Sequence, residues 1–178
     1  MLVVNFLGAP GSGKSTGAAK VFSDLKMAGI NAELVTEFAK DKVYEESKAP
    51  FEDQLYILGE QNFRLSRLNE KVDVVITDSP IILSVFYDKH KKWSMFEDFC
   101  REVFDSYDNY NVFVTRAKPY NPSGRFQTEE ESNVLSEEMK AFLNEKEIEY
   151  CEIKGQKDHY ELISKAIIDI LELKGESK

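Results

Sequence analysis

The chain has 178 residues, a formal charge of −9 and a charged fraction of 31%. This length predicts one domain, 1–178, large enough to bury a core. The acidity argues against broad nonspecific affinity for nucleic acid, but it does not exclude a nucleic-acid substrate in a locally basic cleft. No apolar run approaches the roughly 20 residues that cross a bilayer, and Cys100 and Cys151 without a secretion signal indicate reduced thiols, so we expect a cytoplasmic protein with no membrane contact.

Apolar strands alternate with amphipathic helices along the chain. This order predicts an α/β fold with a five-stranded, mainly parallel sheet between two layers of helices. The predicted strands are Leu2–Leu7, Ala32–Thr36, Val72–Thr77, Asn111–Thr115 and Glu149–Ile153. The predicted helices run from about Lys14 to Gly29, from Pro50 to Glu70, within Pro80–Tyr107, from Glu129 to Glu145 and from Asp158 to Leu173.

Three of these helices carry a more specific signal. Thr128 and Glu131 have the spacing of a capping box, which predicts that a helix begins at Glu129. Apolar residues at helical spacing predict the buried faces of two others. These residues are Leu55, Leu58, Leu65 and Leu68 in the second helix, and Leu162, Ile163, Ala166, Ile167, Ile170 and Leu171 in the last.

The run Gly8–Ser15 has the pattern Gly-x4-Gly-Lys-Ser between a predicted strand and a predicted helix, the arrangement of a phosphate-binding P-loop. Glycines let the backbone close around a phosphate with its N–H groups inward, and the helix N-terminus adds a favourable field. We therefore predict that ATP and Mg²⁺ bind here, with Lys14 between the β- and γ-phosphates and the Ser15 hydroxyl on the metal. The predicted nucleotide-binding residues are Gly8, Ala9, Pro10, Gly11, Ser12, Gly13, Lys14, Ser15 and Thr16.

Two carboxylates follow neighbouring strands, Glu37 after the second and Asp78 after the third. Ligands of open α/β sheets bind beyond the carboxyl ends of the strands. A kinase needs one carboxylate to accept the proton of the attacking hydroxyl and another to help hold magnesium. We assign Glu37 as the base and Asp78 to the metal, although the two roles can be exchanged. The alternatives are a helix N-terminal charge for Glu37 and a turn cap for Asp78.

Two further groups are candidates for the acceptor side and for a lid. Gln61 and Arg64 are three residues apart on a predicted helix and share a face, which suits acceptor binding but also an ordinary solvated face. The segment 116–128 is basic within an acidic chain and is predicted to be a lid. Arg116 and Arg125 would stabilise transition-state charge from it. The alternative is a plain surface loop.

Taken together, Gly8–Ser15, Glu37, Asp78-Ser79-Pro80 and the arginine-bearing segment resemble the nucleoside and nucleotide kinase branch of P-loop proteins, over Leu2 to about Leu173. In that branch the loop Lys154-Gly155-Gln156 falls where many members pack adenine. Deoxynucleoside kinases usually carry an arginine directly after the strand-three acid, where this chain has Ser79, and this departure leaves the acceptor open.

A second resemblance is to a family of small bacteriophage P-loop proteins, in Leu34–Glu37, Thr77–Pro80 and Lys118–Glu129. Some of its members are linked to hypermodified DNA, in which a kinase phosphorylates hydroxymethyl pyrimidines. The resemblances imply an ATP-dependent kinase in the host cytoplasm, acting on a hydroxyl of a nucleoside, a nucleotide or a hydroxymethylpyrimidine base, free or in DNA. A homodimer is an expectation by analogy alone. The alternative is a nucleotide-binding switch or ATPase without kinase activity.

Overall fold

The computed structural model describes residues 1–47, 49–121 and 128–176, with only the backbone described at 51 and 176. In these ranges the strands are β1 (Leu2–Leu7), β2 (Ala32–Val35), β3 (Val74–Thr77), β4 (Asp108–Thr115) and β5 (Cys151–Lys154). The helices are α1 (Lys14–Met27), α2 (Phe38–Tyr44), α3 (Gln54–Ser66), α4 (Leu83–Phe86), α5 (Phe96–Asp105), α6 (Glu129–Glu145) and α7 (Lys157–Glu176), with a 3-10 turn at Ala49–Glu52.

The strands form one sheet in the order β2-β3-β1-β4-β5. Every pairing is parallel, and Leu2 of β1 lies opposite Val74 of β3 and Asp108 of β4. The predicted α/β class with a five-stranded parallel sheet is therefore confirmed. Because the strands run the same way, the residues that follow β1, β2 and β3 meet at one edge of the sheet.

Hydrophobic cores lie on both faces of this sheet. Alternate residues of β1 point to opposite faces, so Val3 and Leu7 join the core under α3, α5 and α6, while Val4 and Phe6 join the core under α1 and α7. A strand covered on both sides has no solvent-facing position, which explains why β1 is almost entirely apolar. The exception is buried Asn5, whose amide donates to Asn109 and Asn111 on β4.

Helix α3 begins later and ends earlier than predicted. Asp53 is its N-cap and accepts from the N–H groups of Leu55 and Tyr56 at 3.1 and 3.4 Å, so the residues around Pro50 form the separate 3-10 turn. The predicted apolar face is partly wrong, because Leu55 is 43% exposed. At 100° per residue it lies roughly 110° from the middle of the face formed by the helix's buried residues. These are Ile57, Leu58, Gln61 and Leu65.

Helices α6 and α7 also test the sequence patterns. The capping box is confirmed, since Thr128 N–H donates to the Glu131 carboxylate at 2.7 Å and Glu131 N–H donates to Thr128 Oγ1 at 3.2 Å. In α7, Ile163 and Ile167 are buried as predicted, but Leu162 is 61% exposed. Tyr160 precedes Ile163 by three residues and Ile167 by seven, so all three lie on the buried face of the helix. Leu162 lies outside this face.

Between β3 and β4 the predicted helical region divides into the short α4 and the amphipathic α5. Helix α2, which directly follows Glu37, was not predicted as an element. In the described ranges, no helix combines the length and the apolar character needed to span a membrane.

Leu65 and Leu55 provide a matched test of this packing, because both are leucines of α3 and only Leu65 is buried. We expect Leu65→Ala to lower the free energy of unfolding by about 2–5 kcal/mol, since it leaves a cavity in the core. Leu55→Ala should change it by less than about 1 kcal/mol. Urea unfolding of both variants measures this difference, and equal losses would contradict the assigned face.

Candidate active site

The phosphate-binding loop connects β1 to α1 in a conformation that depends on glycine. Gly8, Gly11 and Gly13 have φ values of 137°, 81° and 108°, a region that residues with a Cβ rarely adopt. Gly13 is the N-cap of α1, and no side chain caps the helix there. The first amides of α1 are therefore presented at its positive end, where an anion is favoured.

The backbone of neighbouring segments packs closely against this loop. A Cβ on Gly8 would lie 2.5 Å from the carbonyl oxygen of Val114, and a Cβ on Gly155 would lie 2.2 Å from that of Ser12. Gly155 N–H in turn donates to the Thr115 carbonyl at 2.8 Å. The ends of β4 and β5 thus form the outer wall that fixes the path of the loop.

Two hydroxyl groups from α6 and α7 bond loop carbonyls. Ser132 Oγ donates to the Pro10 carbonyl at 2.7 Å, and the Tyr160 hydroxyl donates to that of Gly13 at 3.0 Å. Both residues are buried. The sequence analysis missed these contacts, because a serine and a tyrosine at inward positions of amphipathic helices are compatible with ordinary core packing.

The ammonium group of Lys14 lies within the loop itself. Its Nζ donates to the carbonyl oxygens of Gly8 at 2.6 Å and Ala9 at 3.3 Å. Lys14 is the first residue of α1, so its positive charge adds to the field of the helix N-terminus. The predicted anion site therefore has both a cation and oriented amides.

A cavity opens on each side of the start of α1. The first, of about 280 Å³, is lined by Thr16, Lys118 and Gln156 together with Gly155 and Tyr160 behind the loop. It brings the loop after β5, the candidate adenine contact, next to the phosphate-binding loop.

The second cavity, of about 310 Å³, brings together Ser15, Glu37 and Asp78, with Lys40 and Tyr44 of α2 at its border. The three predicted residues come from α1 and from the ends of β2 and β3, and they meet because parallel strands end at the same edge. Their catalytic and metal-binding roles stay predictions.

The two carboxylates are linked through the backbone. Asp78 is 5% exposed, and its Oδ1 accepts a hydrogen bond from the Glu37 N–H at 3.1 Å. Asp78 thereby holds the N-cap residue of α2 against the end of β3, while its side chain lines the second cavity together with Ser15.

The side chain of Glu37 is half-buried in the second cavity. Burial raises the pKa of its carboxyl, and the negative charge of Asp78 raises it further, while the positive charges of Lys14 and Lys40 oppose the shift. A carboxylate with a raised pKa is a better proton acceptor, which suits a general base.

Gln61 and Arg64 are placed against α2. The amide of Gln61, which is 2% exposed, accepts from Phe38 N–H at 3.1 Å and donates to Thr77 Oγ1 at 3.5 Å. Arg64 pairs with Asp41 at 2.8 Å and lies 5.2 Å from the centre of the Phe38 ring. Both side chains therefore fasten α2 to the sheet and to α3, and their contact with an acceptor stays a prediction.

The predicted lid is described only in part. Arg125 lies outside the described residues. Arg116 pairs with Glu129 at 3.1 Å, bonds the Asn133 side chain, and lies 5.2 Å from the ring centre of Tyr120. In this arrangement the Arg116 guanidinium is directed at the start of α6.

The residues present fit a magnesium-bound nucleoside triphosphate. The glycines leave space that a Cβ would fill. The buried Ser12 Oγ has no hydrogen-bond partner within the described residues. The Ser15 hydroxyl and Asp78 carboxylate are oxygen ligands of the kind that Mg²⁺ prefers. The site therefore supplies donors for phosphate and oxygens for a hard cation.

Comparison with known proteins agrees with this architecture. The family model AAA_28, described as an AAA domain, matches residues 3–160. The crystal structure of thymidylate kinase from Ehrlichia chaffeensis superimposes with a TM-score of 0.60 at 12% identity, covering 96% of this chain and 98% of that one. At this identity the likeness shows the fold alone. No curated protein sequence matches the chain.

Gly155 and Gly59 allow a matched test of the loop wall. We expect Gly155→Ala to displace the Ser12 carbonyl and weaken ATP binding by about tenfold or more, since such overpacking costs roughly 1–3 kcal/mol. Gly59 is an exposed residue of α3, and a Cβ added there would meet nothing within 4 Å. Gly59→Ala should therefore leave binding unchanged and stabilise the helix by about 0.5–1 kcal/mol. Calorimetric titration measures the affinity of both variants for ATP, and an unchanged affinity in Gly155→Ala would contradict the contact with Ser12.

The raised pKa of Glu37 predicts a pH-dependent stability. A carboxyl whose pKa is higher in the folded state contributes stability below its ordinary value of 4.5 and loses it as the pH rises through the raised value. Glu37→Gln stays neutral, so the variant should gain stability relative to the wild type as the pH rises above 4.5, the ordinary pKa of the carboxyl. Urea unfolding at stepped pH measures this gain. Glu33→Gln, an exposed change on β2, is the control and should follow the wild type.

Proposed function

The chain belongs to the AAA_28 family of AAA domains, and from this premise we propose that it is an ATP-dependent kinase. The observation that carries the proposal is the second cavity, where Ser15, Glu37 and Asp78 lie together beside the phosphate-binding loop. A nucleotide-binding loop alone suits many P-loop proteins. Here a half-buried carboxylate with a raised pKa lies next to the loop, and such a group suits transfer of a phosphoryl group to a hydroxyl.

In this proposal the loop holds the triphosphate of ATP. The amides at the start of α1 and the Lys14 ammonium bind the β- and γ-phosphates and offset their charge. Bound Mg²⁺, held by Ser15 and Asp78, would supply charge neutralisation between the phosphates. The nucleoside end of ATP occupies the first cavity, next to Gly155 and Gln156.

Glu37 faces the acceptor side. In the described part of the chain, no group donates a hydrogen bond to its carboxylate, so both oxygens are available to a substrate hydroxyl. The hydroxyl oxygen forms a bond to the γ-phosphorus, the bond from that phosphorus to the β,γ-bridging oxygen breaks, and the hydroxyl proton goes to Glu37. ADP is the leaving group.

The proposed acceptors are the hydroxyls of a nucleoside, a nucleotide or a hydroxymethylpyrimidine base, free or in DNA. Support for a nucleoside-like acceptor comes from the fold shared with a thymidylate kinase. Support for a modified base comes from the resemblance of Leu34–Glu37, Thr77–Pro80 and Lys118–Glu129 to small bacteriophage P-loop proteins. The cavity border offers the Tyr44 ring for stacking on a base.

The test is an acceptor screen with γ-labelled ATP. The panel contains nucleosides, their monophosphates, and DNA with hydroxymethyluracil or hydroxymethylcytosine. We expect Lys14→Ala to abolish transfer. Glu37→Gln should reduce turnover by about 10²- to 10⁴-fold, because the proton acceptor is lost, while the dissociation constant for ATP stays within about threefold, since the base does not hold the phosphates.

Glu33→Gln is again the matched control and should transfer phosphate at the wild-type rate. Wild-type turnover by Glu37→Gln would show that the base is another group. Label that appears only as free phosphate with every acceptor would identify an ATPase or a nucleotide-dependent switch instead of a kinase.

A further inference from the structure

The Pro10 carbonyl in the phosphate-binding loop is held from outside by α6. Ser132 Oγ donates to it at 2.7 Å, across 122 positions of sequence, and Ser132 is 3% exposed. A serine inside a helix commonly bonds a carbonyl of the preceding turn. Here the hydroxyl bonds the loop, so its burial serves a contact between two distant segments.

This contact fixes the direction of an amide. No described peptide bond is cis, and in a trans peptide the carbonyl and the next N–H lie in one plane and point in opposite directions. When Ser132 holds the Pro10 carbonyl toward α6, the N–H of Gly11 points away from α6, toward the loop interior. The Gly13 carbonyl accepts from the Tyr160 hydroxyl and also from the Gly17 N–H of α1 at 2.8 Å, so the direction of the Lys14 N–H is set by both contacts.

The start of α6 is also where the predicted lid ends. The capping box fixes the first turn at Thr128 and Glu131, and Arg116, at the other end of segment 116–128, bonds Glu129 and Asn133. One end of the segment therefore contacts the first two turns of α6 and the other end continues into them, and Ser132 lies in these turns.

We propose that Ser132 is a positioning residue for nucleotide binding, and that its hydroxyl couples the first turns of α6 to the amides of the phosphate-binding loop. The coupling is reciprocal. A phosphate that binds the Gly11 amide stabilises the peptide orientation that Ser132 holds, and so orders the start of α6. The inference rests on the proposed function only for its ligand, a nucleotide.

The first experiment measures binding without any acceptor. Calorimetry with MgATP and with inorganic pyrophosphate compares the wild type, Ser132→Ala, Ser132→Thr and Ser136→Ala. We expect Ser132→Ala to bind both ligands about three- to tenfold more weakly, the range of one net hydrogen bond. Ser132→Thr keeps the hydroxyl and should restore binding. Ser136→Ala, one turn further along α6, should match the wild type. Wild-type affinity in Ser132→Ala, or an equal loss in Ser136→Ala, would overturn the proposal.

The second experiment follows backbone hydrogen exchange of residues 129–133 with and without MgATP. The wild type should exchange more slowly with nucleotide, and Ser132→Ala should lose this protection while the thermal unfolding temperature without ligand confirms that it is folded. If the wild type shows no protection, or if Ser132→Ala keeps it, the coupling does not exist. Because neither experiment requires phosphoryl transfer, an inactive acceptor screen would refute the kinase and leave this result standing.

Discussion

The architecture of the candidate active site depends on the direction of a few peptide planes in the loop between β1 and α1. To bind an anion, the loop must turn its N–H groups inward, and each inward amide places a carbonyl on the outside. Outward carbonyls that are buried need donors. Ser132 and Tyr160 provide two of them, from helices far away in the sequence. Lys14 Nζ donates to the carbonyls of Gly8 and Ala9, and the close packing of Gly8 and Gly155 supports the loop further.

A second constraint is electrostatic. Lys14, Glu37 and Asp78 lie in one region. The positive charge of Lys14 lowers the pKa of the Glu37 carboxyl, whereas the negative charge of Asp78 raises it. Asp78 uses one oxygen to hold the backbone of Glu37. The Glu37 carboxylate is therefore positioned through the N-terminus of α2 and receives no hydrogen bond of its own within the described residues. A proton acceptor benefits from this arrangement, because a strongly bonded carboxylate would have a lowered pKa and little capacity left for substrate.

The sequence predicted the five-stranded parallel sheet and the phosphate-binding loop, because these depend on short-range patterns such as apolar runs and glycine spacing. It also predicted that Ser15, Glu37 and Asp78 meet, since strand ends converge in any parallel sheet. Contacts between distant segments were not accessible in this way. Nothing in the sequence near Gln61 shows that its amide bonds Phe38 and Thr77 instead of facing solvent. Leu55 was misassigned because the buried face is centred on Ile57, Leu58, Gln61 and Leu65, and the spacing of the leucines alone does not show this centre.

The two outer helices give the loop different kinds of support. Tyr160 belongs to α7, which packs against α1 on one face of the sheet, so its bond to Gly13 joins parts that already form a common core. Ser132 belongs to the start of α6, which the segment 116–128 enters directly. This second contact links the start of α6 to the phosphate-binding loop at Pro10. The loop is thus held rigidly at its helical end by the core, and at Pro10 by an element whose order can respond to ligand.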